Sequence, residues 1–254
     1  MSDLKGKVIA ITGGAGGIGE TTARLAYAQG ASVVITDREA GAVEAIADSL
    51  GERAVGVAVD VTRREDNERM VAAALERFGR LDGVFLNAGI EGEVGPFDSR
   101  SDMAWEKVFA VNVHGVRLGA EAALPALRKS GGGSIVITSS VAGLRGAAGL
   151  SPYVSSKHAV VGMMKCLAAE LGPEGIRVNT LNPGPVANRM MQSIEEQANP
   201  AHPEDVHQSF EARIPLGRYV SNEECAGLAL FLLSDAACGC TGNTYVVDGG
   251  LCSQ

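Results

Sequence analysis

A chain of 254 residues, 46% of them hydrophobic and 20% charged, can bury the core of one α/β domain or of two small ones. Its net charge of −8 and its aromatic content of 4% disfavour contacts with a phosphate backbone or with stacked bases, so we expect no nucleic-acid partner. No run of about 18 apolar residues occurs, so we also expect no membrane span.

The N-terminus and the cysteines together predict a cytoplasmic protein. The first residues lack the long apolar segment and the cleavage site of a signal peptide. The five cysteines are odd in number and contain no Cys-x-x-Cys, which is typical of reduced thiols. Cys238 and Cys240 have no second pair of ligands, and the histidines lack metal-ligand spacing, so we expect no metal site.

Short runs of β-branched residues alternate with longer amphipathic stretches along the chain. The strands are predicted at residues 8–12, 32–36, 54–59, 83–87, 134–138, 177–181 and 244–247. The helices are predicted at residues 18–29, 40–50, 64–78, 102–129, 151–171 and 222–233, with a kink at Pro125. The alternation predicts a single-domain α/β Rossmann fold, in which a doubly wound, mostly parallel sheet has helices on both faces.

Residues 188–215 interrupt this alternation. They are polar and contain Pro200 and Pro203. An irregular insertion of this length in a compact domain is typical of a lid or binding loop. We therefore predict that residues 1–254 form one domain with a substrate lid around residues 188–215.

A glycine-rich loop follows the first strand, in Thr12-Gly13-Gly14-Ala15-Gly16-Gly17-Ile18-Gly19. Its glycines let the backbone approach a pyrophosphate closely, and the helix behind it offers unpaired N–H groups and a positive dipole end. The strand before the loop and the helix after it favour a dinucleotide-binding site. The expected cofactor contacts come from Gly13, Gly16, Gly17, Ile18 and Gly19.

An acidic residue, Asp37, stands just past the second predicted strand. A carboxylate there can accept hydrogen bonds from ribose hydroxyls and repels a 2′-phosphate, which favours NAD over NADP. The neighbouring Arg38 is a second expected contact and weakens this preference, because a guanidinium can accommodate that phosphate.

Tyr153 and Lys157 lie four residues apart in a predicted helix, so they share one helix face. A lysine ammonium beside a phenol favours the phenolate, so we expect Lys157 to lower the pKa of Tyr153. A tyrosine of this kind can act as general acid or base on an alcohol or ketone oxygen.

These residues resemble the landmarks of the short-chain dehydrogenase/reductase family over essentially the whole chain. The landmarks are Thr12-Gly13-x3-Gly17-x-Gly19, Asp60-Val61, Asn87-Ala88-Gly89, Asn112, Ser140, Tyr153-x3-Lys157 and Asn182-Pro183-Gly184. The resemblance implies an NAD-dependent enzyme that interconverts a secondary alcohol and its ketone by hydride transfer. It also implies a homotetramer.

The family resemblance assigns four catalytic roles. Tyr153 resembles the general acid/base, and Ser140 the hydroxyl that orients the substrate oxygen; Ser140 is chosen over Ser139 by its distance along the chain to Tyr153. Lys157 resembles the residue that binds the nicotinamide ribose as well as lowering the pKa of Tyr153. Asn112 resembles the residue that holds a water relay to Lys157.

The resemblance also implies further cofactor contacts. Asp60 and Val61 are expected on the adenine side, and Asn87-Ala88-Gly89 beside the cofactor at the sheet edge. Asn188 stands where the family often has threonine and is expected to contact the carboxamide. The nicotinamide-side wall is expected from Pro183, Gly184 and Val186.

The substrate pocket is expected from residues 90–96, 141–150 and 190–210. Its apolar or small candidates, which suit an alicyclic or small apolar alcohol, are Val141, Ala142, Leu144, Met190 and Met191. Arg145 is expected to pack against the fold rather than to bind a substrate carboxylate.

Three other functions were weighed against this one. An NADPH-dependent 3-oxoacyl thioester reductase is disfavoured by Asp37 and by the acidic net charge. A nucleotide-sensing binding protein would not need Ser140, Tyr153 and Lys157 together. A serine hydrolase would need a Gly-x-Ser-x-Gly elbow, which is absent around Ser140.

Overall fold

Seven strands form one parallel sheet in a computed structural model that describes residues 4–253. The strands are β1 (Val8–Thr12), β2 (Ser32–Asp37), β3 (Ala54–Ala58), β4 (Gly83–Leu86), β5 (Gly133–Thr138), β6 (Ile176–Pro183) and β7 (Thr244–Val247). Their order across the sheet is β3-β2-β1-β4-β5-β6-β7. The predicted α/β Rossmann fold is confirmed. Residues 1–3, part of the N-terminal segment in which we expect no signal peptide, lie outside the described residues.

Helices cover both faces of this sheet. They are α1 (Gly17–Ala28), α2 (Ala40–Leu50), α3 (Arg64–Phe78), α4 (Asp102–Phe109), α5 (Val116–Lys129), α6 (Ser151–Leu171), α7 (Arg189–Ala198), α8 (Pro203–Glu211) and α9 (Asn222–Leu233). One face is packed by α3, α5 and α6 through Met70, Leu127 and Met164. The other is packed by α1, α2 and α9. Among residues 4–253, no helix is long and apolar enough to cross a membrane.

The order of the strands reverses between β1 and β4, because β1 pairs with β2 on one side and with β4 on the other. The carboxyl ends of all seven strands lie at the same edge of a parallel sheet. A crevice opens at such a reversal point, where α/β folds bind their ligands. The residues just after β1, β2, β4, β5 and β6 are therefore brought together.

The predicted helix at residues 102–129 is interrupted, but not at Pro125. The chain forms α4, then a π-helical segment at Ala110–Gly115, and then α5, which continues through Pro125 to Lys129. A π-turn inserts one extra residue into the helical repeat and is frequent at functional sites. The buried side chain of Asn112 lies in this segment.

The segment at 188–215, predicted as irregular, contains two short helices. The side chain of Asn188 caps α7 by accepting hydrogen bonds from the N–H groups of Met190 and Met191, and Pro203 begins α8, where a missing N–H costs nothing. The two helices are joined by His207 of α8, which contacts Glu195 of α7 at 3.1 Å. Short amphipathic helices are hard to distinguish from polar loops in a sequence.

Candidate active site

The glycine-rich loop after β1 is shaped by its own close contacts. Gly13 has a φ of +64°, and a Cβ there would lie 2.9 Å from the Cα of Ala88. A Cβ on Gly19 would lie 2.1 Å from the carbonyl oxygen of Gly13. Gly16 precedes α1 without any side-chain cap, so the first N–H groups of that helix are open to an anion. The loop therefore fits a pyrophosphate.

Asp37 ends β2 beside this loop. One carboxylate oxygen accepts a hydrogen bond from the N–H of Ala15 at 3.2 Å, and the other accepts one from the N–H of Arg38 at 2.8 Å. Each oxygen keeps a further acceptor site. The carboxylate is thus fixed at the mouth of the loop, where a ribose diol can bind. Both Asp37 and Arg38 line the cavity.

The turn after β3 holds Asp60 and Val61 in place. Asp60 uses one carboxylate oxygen to accept hydrogen bonds from the N–H and hydroxyl of Thr62. The N–H of Asp60 donates to the carboxylate of Asp66 at 2.9 Å, and this bond lowers the pKa of Asp66. The side-chain amide of Asn67 donates to the carbonyl of Val61 at 2.9 Å. The start of α3 therefore positions the expected adenine contacts.

Asn87 joins three strand ends. Its side-chain amide donates to the carbonyls of Thr12 and Gly13, both at 3.2 Å, and its side-chain oxygen accepts from the hydroxyl of Thr138 at 3.0 Å. The hydroxyl of Thr12 accepts from the N–H groups of Asn87 and Ala88. The segment 87–89 is therefore attached to the glycine-rich loop on one side and to β5 on the other.

The two serines after β5 point to different partners. The hydroxyl of Ser139 donates to the backbone carbonyl of Lys157 at 3.0 Å and so anchors α6. The hydroxyl of Ser140 donates to the carbonyl of Pro183 at 3.3 Å and accepts from the N–H of Ala142 at 3.1 Å. It also interacts with the phenol of Tyr153, whose pKa it lowers. This difference supports Ser140 as the hydroxyl that faces the substrate.

Tyr153 and Lys157 are both buried in the first half of α6. Burial raises the pKa of Tyr153 to about 12, although Ser140 acts in the opposite direction, and Glu91 raises it further through its charge. Burial lowers the pKa of Lys157 to about 8. Burial is the largest cause of the shift at Tyr153, and the ammonium of Lys157 lies 5.5 Å from the centre of its ring.

The ammonium of Lys157 is held from the other side by β5. Its Nζ donates to the carbonyl of Thr138 at 2.8 Å, and a Cβ added to Gly89 would lie 3.3 Å from that Nζ. Two further N–H groups remain for a ligand, since an ammonium has three donors. With these two N–H groups, the Lys157 ammonium can donate to ribose hydroxyls and also lie beside the phenol of Tyr153.

Asn112 is fully buried and uses its whole amide. Its side-chain oxygen accepts from the N–H of Ile90 at 2.9 Å, and its nitrogen donates to the carbonyl of Ile90 at 2.9 Å and to the hydroxyl of Ser156 at 3.0 Å. Asn112 does not line the cavity. It fixes the loop after β4 against α6, one helical turn from Tyr153.

The predicted nicotinamide side follows β6. Pro183, Gly184 and Val186 all line the cavity, and a Cβ on Gly184 would lie 2.8 Å from the Cα of Asp248. Asn188 also lines it, but its side-chain oxygen is engaged in capping α7. Only the amide nitrogen of Asn188 is left to donate to a carboxamide.

These residues meet in one cavity of about 700 Å³. All of the predicted cofactor and catalytic residues line it except Gly19, which packs beneath Gly13, and Asn112. Of the predicted apolar pocket residues, Val141, Ala142, Met190 and Met191 line it, joined by Ile194, Phe210 and Leu251. The prediction of Leu144 was wrong, because that side chain is 39% exposed and turned away from the cavity.

Ser156 and Asn67 also hold the site, and neither is among the predicted residues. Their sequence signal is weak, because a serine or an asparagine in a helix is common. Among residues 4–253, no group of three or more His, Cys, Asp or Glu side chains is placed to hold a metal ion.

Known proteins share this sequence and this architecture. Residues 13–252 match the family described as "Enoyl-(Acyl carrier protein) reductase". The chain is 37% identical over 249 residues to levodione reductase of Leifsonia aquatica, covering 96% of this chain and 93% of the relative. It is 38% identical over 251 residues to cyclohexanol dehydrogenase of Acinetobacter sp. (strain SE19), covering 98% and 96%.

Two solved structures resemble the fold closely. The crystal structure of levodione reductase superposes with a TM-score of 0.94 at 36% identity, over 98% of each chain. That of 3-ketoacyl-(acyl-carrier-protein) reductase from Brucella melitensis, complexed with NADH, superposes with a TM-score of 0.90 at 32% identity, over 98% of this chain and 99% of that one.

This chain belongs to the short-chain dehydrogenase/reductase family. It is an oxidoreductase that acts on CH–OH groups, with a small-molecule substrate and a nicotinamide dinucleotide, NAD or NADP, as its cofactor.

Proposed function

We propose that this enzyme interconverts a secondary alicyclic alcohol and its ketone, with NAD as the preferred cofactor. The observation that carries the proposal is a single cavity that is lined by the glycine-rich loop, by Asp37 and by Ser140, Tyr153 and Lys157. The names of two relatives, levodione reductase and cyclohexanol dehydrogenase, support an alicyclic substrate. The apolar wall of Val141, Met190 and Met191 is consistent with a ring.

The protein's part of the reaction is to orient the substrate and to move one proton. The nicotinamide, when bound, supplies or accepts the hydride. During reduction, Ser140 and Tyr153 donate hydrogen bonds to the carbonyl oxygen, and the Oη of Tyr153 gives up its proton as negative charge grows there. Lys157 binds the ribose hydroxyls and stabilises the resulting phenolate. In oxidation the same proton returns to Tyr153.

The preference for NAD rests on Asp37. Its two oxygens are already oriented by the N–H groups of Ala15 and Arg38, so they can accept hydrogen bonds from a ribose diol without reorganisation. A 2′-phosphate in the same place would be repelled by the carboxylate.

The segment 188–215 serves as the substrate lid of one catalytic domain. Met190, Met191 and Ile194 of α7 and Phe210 of α8 line the cavity. The side-chain amide of Gln197 connects α7 to the loop after β4, donating to the carbonyl of Gly92 at 3.4 Å and accepting from the N–H of Val94 at 3.0 Å. Gln197 therefore attaches the lid to the far side of the pocket, where Met190 and Val94 also pack in one apolar cluster.

A panel of secondary alcohols, assayed with NAD by the absorbance of NADH, tests this function. Cyclohexanol and substituted cyclohexanols should be oxidised faster than linear secondary alcohols of equal carbon number. Tyr153→Phe should abolish turnover while cofactor binding persists, because the substitution removes only the hydroxyl. Near-normal turnover by this variant would refute the mechanism, and a preference for linear alcohols would refute the substrate class.

A second candidate function is reduction of a 3-oxoacyl thioester with NADPH. The similarity to 3-ketoacyl-(acyl-carrier-protein) reductase at a TM-score of 0.90 favours it. An acetoacetyl thioester assayed with NADPH and with NADH separates the two. A kcat/KM on the thioester above that on every cyclic ketone would replace the first proposal with this one.

Assembly and location follow from the same resemblance. We propose a homotetramer in the cytoplasm. Light scattering coupled to gel filtration measures the assembly directly, and a monomeric mass at micromolar concentration would contradict it.

A further inference from the structure

Arg145 is a half-buried arginine on the wall of the cavity. It stands two residues after the short 3-10 turn Val141–Gly143, which follows Ser140. Among the described residues, its guanidinium makes one hydrogen bond, from Nη1 to the carbonyl of Leu251 at 3.2 Å. A guanidinium has five N–H donors, so most of its donors remain for a ligand.

The C-terminal turn keeps Arg145 in this position. The carboxylate of Asp248 accepts hydrogen bonds from the N–H of Gly250 at 2.8 Å and from the N–H of Cys252 at 2.7 Å. These two bonds fix the turn Leu251–Ser253, whose first carbonyl holds Arg145. Leu251 itself is buried and packs with Val141, so the arginine is anchored beside an apolar wall.

Charge is distributed unevenly over the cavity. The carboxylates that line it are Asp37, Glu39 and Asp60, which follow β2 and β3 on the side expected to take the adenosine. Arg145 makes no ion pair with any described carboxylate, and the same is true of Lys107 and Arg189, which are exposed residues of the lining. The carboxylates of the lining are therefore confined to the cofactor side, although the charge of Glu91 reaches Tyr153 from outside the lining.

A half-buried cation without an anionic partner is costly unless an acceptor reaches it. Among residues 4–253, no carboxylate forms an ion pair with Arg145, and Val141 and Leu251 beside it are apolar. A ligand oxygen at this place would satisfy the free donors and exclude water from them. Neutral carbonyl and hydroxyl oxygens can accept hydrogen bonds from these donors, and a carboxylate can accept two of them at once in a bidentate pair.

We propose that Arg145 determines specificity by donating hydrogen bonds to a second oxygen of the substrate, remote from the carbon that exchanges hydride. The substrate class is then a ring alcohol or ketone that carries a further carbonyl, hydroxyl or carboxylate. The inference rests on the proposed function for the reacting end of the substrate. Arg145 contacts the remote oxygen and takes no part in proton or hydride transfer.

The test compares cyclohexanone, cyclohexane-1,4-dione and 4-oxocyclohexanecarboxylate as substrates for the wild type, Arg145→Met and Arg145→Lys. In Arg145→Met, the kcat/KM of an oxygenated ketone divided by that of cyclohexanone should fall by about tenfold or more, mainly through KM. A fall for the carboxylate alone, partly restored in Arg145→Lys, identifies an anionic group. A similar fall for the dione identifies a neutral acceptor.

Arg77→Met is the matched control, because Arg77 is an exposed arginine that does not line the cavity. It should leave the ratios unchanged. Equal losses for all three ketones in Arg145→Met, or no loss for any, would overturn the proposal and leave Arg145 as a support for the C-terminal turn.

A binding measurement separates this inference from the proposed function. Calorimetric titration with cyclohexanecarboxylate and with cyclohexyl methyl ketone needs no turnover. At least one of these probes should bind the wild type about tenfold more tightly than it binds Arg145→Met, the size expected for loss of a guanidinium hydrogen bond. If no ketone is reduced but this difference persists, the proposed reaction fails and the oxygen site stands. Equal binding of both probes to the two proteins overturns the oxygen site itself.

Discussion

The side-chain amide of Asn112 donates a hydrogen bond to the hydroxyl of Ser156 at 3.0 Å. That hydroxyl donates in turn to the backbone carbonyl of Tyr153 at 2.7 Å. The π-helical segment is thus joined to the helix that carries both Tyr153 and Lys157. Since Asn112 also bonds both backbone groups of Ile90, one amide sets the distance between the loop after β4 and the proposed acid/base.

Replacement of Asn112 by alanine should impair catalysis more than cofactor affinity. It leaves the N–H and C=O of Ile90 without their partner, so we expect a loss of about 2–4 kcal/mol in unfolding free energy. The loop and α6 then shift, and kcat should fall at least about tenfold. Urea unfolding and steady-state kinetics measure both. Ser156→Ala, which removes only one of the contacts, should have a smaller effect, and equal effects would show that Ile90 is not the important partner.

Asp37→Ala should reduce the selectivity for NAD over NADP. The variant loses the acceptor for the ribose hydroxyls and the charge that repels a 2′-phosphate, so the ratio of kcat/KM values should fall by about tenfold or more. Arg38→Ala, at the neighbouring residue of the lining, should not lower that ratio. Unchanged selectivity in Asp37→Ala would remove the basis for the proposed preference.

Gly19→Ala should weaken cofactor binding although Gly19 does not line the cavity. The new Cβ would lie 2.1 Å from the carbonyl oxygen of Gly13, so the loop must move away from its pyrophosphate-binding shape. Gly41→Ala is the matched control, because a Cβ there meets nothing within 4 Å inside α2, and it should raise stability by about 0.5–1 kcal/mol. Equilibrium binding of NADH should be weakened in the first variant and retained in the second.

Lys157 should make stability depend on pH in a defined window. Its pKa is lowered from 10.5 to about 8 on folding, so between these values the unfolded chain binds more protons and stability rises with pH. The gain is on the order of 3 kcal/mol at most. The Lys157→Met variant should lack this gain in stability when the urea midpoints of unfolding are compared at pH 8 and pH 10.5. An equal change in both proteins would assign the effect to other groups.

The pKa of Tyr153 gives an independent test of how burial acts on Tyr153 and Lys157. Its pKa is raised from 10.0 to about 12, so the folded chain keeps this proton while the unfolded chain loses it, and stability falls as pH rises through this range. The near-ultraviolet phenolate signal of Tyr153, taken as wild type minus Tyr153→Phe, should therefore appear only near pH 12. A signal near pH 8 would mean that the charge of Lys157 outweighs burial after all.

Tyr219→Phe should loosen the segment 188–215. The phenol of Tyr219 donates to the carboxylate of Glu195 at 2.7 Å, and burial and that carboxylate both keep the phenol protonated by raising its pKa. The loss of this charge-assisted bond should cost about 1.5–3 kcal/mol. Proteolysis of the segment and urea unfolding measure the effect, and Phe210→Leu, which retains the bond, is the comparison.

The regular elements could be predicted from the sequence because their signal is local. Strands such as β1, β4 and β5 lie where apolar runs are bounded by glycine or polar residues, and the bounds of α2, α3, α6 and α9 agree with the prediction. The π-segment at 110–115 could not be predicted, since Pro125 is the stronger local signal. The interruption contains Asn112, whose bonds to Ile90 span 22 residues of the chain.

The residues of the site likewise divide into those with a local sequence pattern and those that depend on contacts between distant parts of the chain. The glycine loop, Asp37 and the Tyr153–Lys157 spacing are local patterns, and the structure brings them to one cavity. Helix spacing predicts the nearness of Lys157 but not how deeply the phenol of Tyr153 is buried, and this burial raises its pKa. The supporting roles of Asn67 and Ser156 depend on contacts between separate elements and leave no pattern in the chain.

The π-helical segment also constrains how this chain can change in length. Removal of one residue from Ala110–Gly115 would restore a regular α-helical repeat, but it would rotate α4 against α5 by about 100°. Either Asn112 would leave Ile90 or Leu127 would leave the core, since Asn112 lies within the segment and Leu127 follows it in α5. Substitutions here can be tolerated one at a time, whereas an insertion or deletion cannot be accommodated without giving up the site or the packing beneath it.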